Sequence, residues 1–285
     1  MANAKSSARP DYATLIGLLL AVGGIATGLV MEGGQFQDVA QLTSALIVLG
    51  GTIGAVMVTT PLPLFIRAAR KLPLVFLATS EDSEAEAVDQ IIQYATAARK
   101  SGIVSLDMEV SQIEDPFLKK ALSLAVDGIN PSQIRDIMEL ELQIFEDHFE
   151  AEAGVFEAAG GYAPTIGIIG AVLGLTQVMK HLANVDEVGK GIAISFVATI
   201  YGVALANLLC LPFATKLRTR GKRAVQLREL ILEGVISIAE GVNQKLIRMK
   251  LEAYLGPAPQ LAAAPKLEAA PKKDRRVVVP TAVQD

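Results

Sequence analysis

GYAPTIGIIGAVLGLTQVMKHL (residues 161–182) and VGKGIAISFVATIYGVALANLLCL (residues 188–211) decide how this chain folds. Each holds a run of about 20 mostly apolar residues, the length an α-helix needs to cross the hydrocarbon core of a bilayer. No Asp, Glu, Lys or Arg lies within residues 162–179 or 191–211. A charge placed there costs several kcal/mol, so uncharged runs of this length read as membrane spans rather than as helices buried in a large soluble protein. Residues 12–31 and 42–65 meet the same test. The expected architecture is therefore all-α: a polytopic inner-membrane protein with four transmembrane helices.

Composition agrees. The 285 residues are 51% hydrophobic, and the mean hydropathy is +0.41. Net charge is -4, which argues against a general nucleic-acid binder. A single cysteine, Cys210, excludes an intrachain disulfide, and with only His148 and His181 beside it a Cys/His metal centre is not expected. Residues 1–11 read as a short cytoplasmic lead with no small-residue cleavage site.

Basic residues set the orientation. Lys5 and Arg9 precede the first span, Arg67, Arg70 and Lys71 follow the second, and Lys216, Arg218, Arg220, Lys222 and Arg223 follow the fourth. The two short links carry Glu32 and Asp38, and Lys180, Asp186, Glu187 and Lys190. Basic flanks mark the inner side, so both termini and the long middle segment are expected in the cytoplasm.

The expected organisation is a lead (1–11), spans one and two (12–65), a helical cytoplasmic domain (66–160), spans three and four (161–212), one long helix (213–254) and an Ala/Pro-rich disordered tail (255–285). In the middle segment, Asn130 followed by Pro131 predicts an N-cap with proline at the first helical position. Ile134, Ile137, Met138, Leu142, Ile144 and Phe145 then form an apolar stripe. An earlier helix is expected over 83–99, with Val88, Ile91, Ile92 and Ala95 inward.

Four pairs of small residues at four-residue spacing, Gly24/Gly28, Gly50/Gly54, Gly170/Gly174 and Ala198/Gly202, allow close helix approach in lipid. Thr165, Thr176, Gln177, Ser195, Thr199, Tyr201 and Asn207 put uncharged polar groups in the last two spans. Some suit a hydrated path, although Ser and Thr also bond back to their own helix carbonyls. Pro164 reads as sitting near the start of span three, and Pro212 as ending span four. No Asp or Glu lies inside the four spans, so an ion-driven machine built on this chain needs a partner to supply the membrane carboxylate.

Several stretches in order resemble one family. They are residues 161–182 and 188–218, DYATLIGL (11–18), LIVLGGTIGAVMVTTP (46–61) and ARKSGIVSLD (98–107). They are similar to the flagellar stator A subunits, MotA or PomA, within the wider group that includes ExbB and TolQ. The resemblance covers about residues 11 to 250. It implies a pentameric wall around a MotB/PomB-type B subunit that carries the ion-binding Asp. It also implies torque delivered to the rotor protein FliG through charged contacts.

Carried over by position, Arg99 and Lys100 match rotor-facing basic residues, and Asp107 stands where the family usually has Glu. Pro164, Thr199 and Pro212 match residues of the ion path, and Ala171 stands where sodium-driven members have a Thr. Losing that hydroxyl favours H+ over Na+ as the coupling ion, because sodium needs several oxygens to replace its water. No cofactor and no enzymatic activity are expected. The alternative function is an ExbB/TolQ-like energiser of another envelope machine. A substrate transporter would need inverted repeats or midplane binding groups, which the spans lack.

Overall fold

The structure, a computed structural model, describes residues 10–78, 82–180 and 185–255. The tail expected from 256 onward and His181 lie outside the described residues. Within them the chain is helical, with one isolated bridge between Pro10 and Leu77.

Helix α1 (Tyr12–Met31) starts at Asp11, whose carboxylate accepts from the Thr14 N–H at 3.2 Å. That cap satisfies one of the four orphan donors at a helix start. A turn at Gly33 (φ 79°) leads to the short α2 (Phe36–Val39) and then α3 (Leu42–Thr59). α3 ends six residues earlier than the expected limit at Phe65. Thr60 precedes Pro61 and is driven into the extended region (φ -127°, ψ 130°), which stops the helix. A separate helix, α4 (Leu62–Val75), follows.

The extramembrane domain is built from α5 (Asp82–Ser101), α6 (Asp107–Val110), α7 (Pro116–Val126) and the first part of α8 (Pro131–Val178). Asp115 caps α7 by accepting from the Leu118 N–H at 2.8 Å, and Asn130 caps α8 as expected, accepting from the Ser132 N–H at 3.0 Å. α8 runs 48 residues without a break, about 72 Å at 1.5 Å per residue. Domain and span three are thus one rod, and Pro164 lies in its interior rather than near its start.

α9 (Val185–Ala204) passes through a π-helical segment at Leu205–Cys210 into α10 (Leu211–Ala239). Pro212 does not end the helix that carries the fourth span, which stays helical past it. A proline in a regular helix clashes with the carbonyl four residues back, and here the widened turn comes immediately before it. The single long helix expected over 213–254 is instead two. α10 stops at Gly241 (φ 71°), and α11 (Gln244–Glu252) starts at the Asn243 cap.

Ile91, Leu106, Phe117, Leu122, Ile134, Met138, Leu230, Ile236 and Leu251 form the core of the extramembrane domain, each 0–1% exposed. Each such side chain contributes roughly 1.5–3 kcal/mol by burial. The inward face of α5 is as expected, with Ile92 only partly covered. On α8 the stripe keeps Ile134, Met138 and Leu142 buried, with Phe145 packed against them in part, and Ile137 and Ile144 are exposed. His148 is an exposed surface residue.

Candidate functional site

α8 and α9 meet backbone to backbone. A Cβ built on Gly167 would lie 2.9 Å from the Ala198 carbonyl oxygen and 3.2 Å from the Gly202 Cα. Gly170 faces the Ala198 Cβ in the same way, at 3.0 Å. Of the four small-residue pairs, Gly170/Gly174 and Ala198/Gly202 pack within the chain, whereas Gly24, Gly28, Gly50 and Gly54 face open space. Gly167, the residue at the centre of the crossing, belongs to none of these pairs.

This crossing brings three of the expected path residues together. Pro164 and Thr199 flank it, the Thr199 Cα lying 3.4 Å from a Cβ built on Gly167. Ala171 follows Pro164 by seven residues, two turns along the same side of α8 and about 10 Å away. Pro212 is not part of this group. It stands 13 residues after Thr199, roughly 20 Å further along, where it faces Ala13, Thr14 and Gly17 of α1.

Most of the polar side chains in these spans are already used. Thr165 donates to the Tyr162 carbonyl, Thr176 to Val172, Ser195 to Gly191 and Asn207 to Val203, at 2.8–2.9 Å. Tyr201 is a tie rather than a path residue. Its O–H donates to the Val39 carbonyl at 2.5 Å and accepts from the Gln41 N–H at 3.2 Å, holding the α2–α3 link against α9. Thr199 differs: it is half-buried, and its hydroxyl makes no hydrogen bond among the described residues. A free hydroxyl on α9 at this crossing is a polar spot in an otherwise apolar wall. Pro164 gives its neighbourhood a second polar atom, because it cannot donate to the Gly160 carbonyl one turn back.

At the opposite end of the molecule are the charged residues. α10 spans 29 residues, so its last turn at Ala239 is roughly 40 Å from the span it continues. There Arg99 lies beside Ile238, Ala239 and Gly241 at the rim of a cavity of about 230 Å³. Arg99, Lys100 and Asp107 are all exposed, and none enters an ion pair among the described residues. Val104 and Met108 are exposed on the same segment.

Between these ends, ion pairs fasten the rod of α8 to its neighbours. Lys71 meets the buried Glu152 at 2.5 Å and lies over the Phe149 ring. Arg218 of α10 binds both Glu150 and Glu157 of α8, and these two carboxylates hold its guanidinium well above the usual range. Glu233 of α10 is buried and paired with Arg135 at 2.9 Å and with Lys250. Burial alone would raise its pKa; the two cations outweigh that and hold it below the usual carboxylate value. Periodicity and spacing do not reveal these pairs, since their partners are 61 to 98 positions apart or lie in another helix.

Two family models match the chain. The MotA/TolQ/ExbB proton channel family covers residues 109–230, and Motility protein A N-terminal covers residues 15–102. Motility protein A of Bacillus subtilis (strain 168) is 38% identical over 249 residues, which is 86% of this chain and 91% of that protein. Chemotaxis protein PomA of Vibrio alginolyticus is 32% identical over 247 residues, 86% and 95% of the two chains. Among solved structures, C. jejuni MotAB matches with a TM-score of 0.82 at 32% identity, covering 88% of this chain and 98% of the other. The flagellar MotAB stator complex from Bacillus subtilis matches with a TM-score of 0.81 at 38% identity, covering 87% and 97%.

Proposed function

The chain belongs to the MotA/TolQ/ExbB proton channel family, and from that membership we infer that it is the A subunit of an ion-driven flagellar stator, forming a channel wall with a B subunit. Similarity along nearly the whole of two stator A chains, including the extramembrane domain, carries this reading. It also favours a stator over an energiser of another envelope machine, because the Motility protein A N-terminal match covers the first two spans and α5.

The finer points of this reading draw on the sequence, the geometry and the family resemblance together. The chain has no carboxylate within 161–178 or 191–210, so the B subunit supplies the ion-carrying Asp. Thr199 and Pro164 are the polar spot on the A-subunit wall nearest that ion's route. Several copies, five by the family resemblance, surround the B subunit. Both termini and the extramembrane domain lie on the cytoplasmic side of the inner membrane, as the basic flanks require. Arg99, Lys100 and Asp107, unpaired at the far end, meet FliG.

A strain lacking only this gene should keep its filaments but not swim, and should recover when the gene is restored. Normal swimming without the gene would remove the stator role. Arg99→Glu combined with Lys100→Glu should cut torque severalfold in tethered cells while membrane levels stay unchanged, since no span is altered. Unchanged torque would take the rotor contact away from this surface.

The coupling ion is H+. Ala171 offers no oxygen where a sodium site needs one. Motility should therefore persist when sodium is replaced by potassium at constant proton gradient, and collapse with a protonophore. The opposite pattern would make sodium the driving ion.

A further inference from the structure

Helix α4 lies across the end of the span bundle instead of continuing α3. At its start, Leu64, Phe65 and Ala68 share a packed cluster with Val56 of α3 and with Val155 and Tyr162 of α8. At its end, the Phe76 carbonyl accepts from the Asp11 N–H at 2.8 Å, and the Phe76 ring meets that of Phe213 at 5.6 Å. Val56 and Tyr162 sit where spans two and three leave the bilayer. Asp11 and Phe213 do the same for spans one and four. A helix of 14 residues, about 21 Å long, with both ends at this level lies close to the membrane plane.

Its three faces differ. Ala68, Lys71 and Val75 turn toward the protein. At about 100° per residue, Leu62, Ile66, Ala69 and Pro73 fall within a stripe roughly 60° wide, and all four are exposed. Arg70 stands about 40° beyond the edge of that stripe and Arg67 about 100° beyond it on the same flank, both exposed and in no ion pair among the described residues. An apolar stripe with cations along one flank, held in the plane of the interface, is the pattern of a helix seated at the headgroup boundary.

We propose that α4 is an acidic-phospholipid site: its apolar stripe enters the acyl-chain boundary, and Arg67 and Arg70 bind headgroup phosphates of the adjoining leaflet. Two features select this occupant. The stripe is continuous with span ends that already contact lipid. The two guanidiniums have no acidic partner among the described residues, and they match phosphate with two parallel donors. A zwitterionic lipid brings its own ammonium to its phosphate, whereas phosphatidylglycerol leaves the charge to the protein.

The chain contains no Trp, so a single Trp at Ile66 reports locally. The A–B complex carrying Ile66→Trp would be placed in vesicles of phosphatidylglycerol and phosphatidylcholine at a series of ratios, with bromine on one lipid at a time. Quenching is read as the increment over the complex without this Trp. The relative association constant for phosphatidylglycerol should exceed that for phosphatidylcholine by at least about fivefold, the effect of one cation at an anionic surface. It should fall to near one in R67Q/R70Q and stay high in R67K/R70K and in Lys100→Gln. Should R67Q/R70Q fail to assemble, Arg70→Gln alone must lower the preference. Equal quenching by both lipids overturns the proposal, as does quenching by neither, which would mean that a second copy of the chain covers α4.

Discussion

Gly202→Ala is expected to weaken the packing of the span bundle by about 2–3 kcal/mol, and Gly202→Val to abolish assembly and swimming altogether. The reason is geometric. A Cβ at Gly202 would stand 2.5 Å from the Ala163 carbonyl oxygen and 3.1 Å from the Gly167 Cα. Both are backbone atoms of α8, so neither can rotate aside as a side chain would. In lipid, helices gain little by hiding apolar surface from one another, and close packing provides most of their association. Pushing α9 outward therefore removes the contact that holds the two central spans together, and it moves Thr199 away from Gly167. Thermal aggregation of the detergent-solubilised chain would measure the effect. Gly50→Ala is the control, because a Cβ at Gly50 meets nothing within 4 Å inside the chain. If Gly202→Ala and Gly50→Ala aggregate at the same temperature, the tight crossing of α8 and α9 is wrong.

The second large effect concerns Glu233. Removing both cations with R135A/K250A should cost about 3 kcal/mol at neutral pH, because a carboxylate 7% exposed is left without compensation. The pH dependence should also change sign. In the native chain the folded pKa is lowered, so the pair contributes fully above 4.5 and its contribution is lost as pH falls through the lower, folded value. In the variant only burial acts, which raises the folded pKa above the unfolded one. The variant then regains stability as pH falls from 7 toward 5, where Glu233 takes up a proton. Unfolding of the extramembrane domain within the full chain, followed at pH 7 and pH 5, distinguishes the two. A variant whose stability does not rise between pH 7 and pH 5, where the native pair's contribution stays level, would sink this account. Glu233→Gln should show neither slope and lose less, since an amide is cheaper to bury.

Four spans, their order and the cap at Asn130 follow from local chemistry. Twenty uncharged apolar residues have few alternatives to crossing a bilayer, and a side-chain oxygen followed by proline reports directly on the backbone beside it. The absence of an internal carboxylate is likewise a plain sequence fact. Inward positions of α5 were legible for the same reason, since their spacing is set by 3.6 residues per turn.

The limits of local reading appear at three places. Pro61 and Pro212 carry the same chemistry, yet one ends a helix and the other is passed, because a π-helical segment precedes only the second. Pairs of small residues look alike along all four spans, but whether a glycine is buried depends on which helix arrives opposite it, and that put Gly167 at the centre. Tyr201 and Thr199 are both polar residues of α9. Only the position of the α2–α3 link makes the first a tie and leaves the second free.

The sequence by itself therefore determined what can enter the membrane, which ends are basic and which residues can bear charge. Tertiary structure alone decided that span three and the extramembrane domain form one rod, that α4 turns across the bundle, and that Glu233 sits between two cations. These depend on contacts between residues far apart along the chain, and the energy of such a contact is set by its partner, which no local window contains.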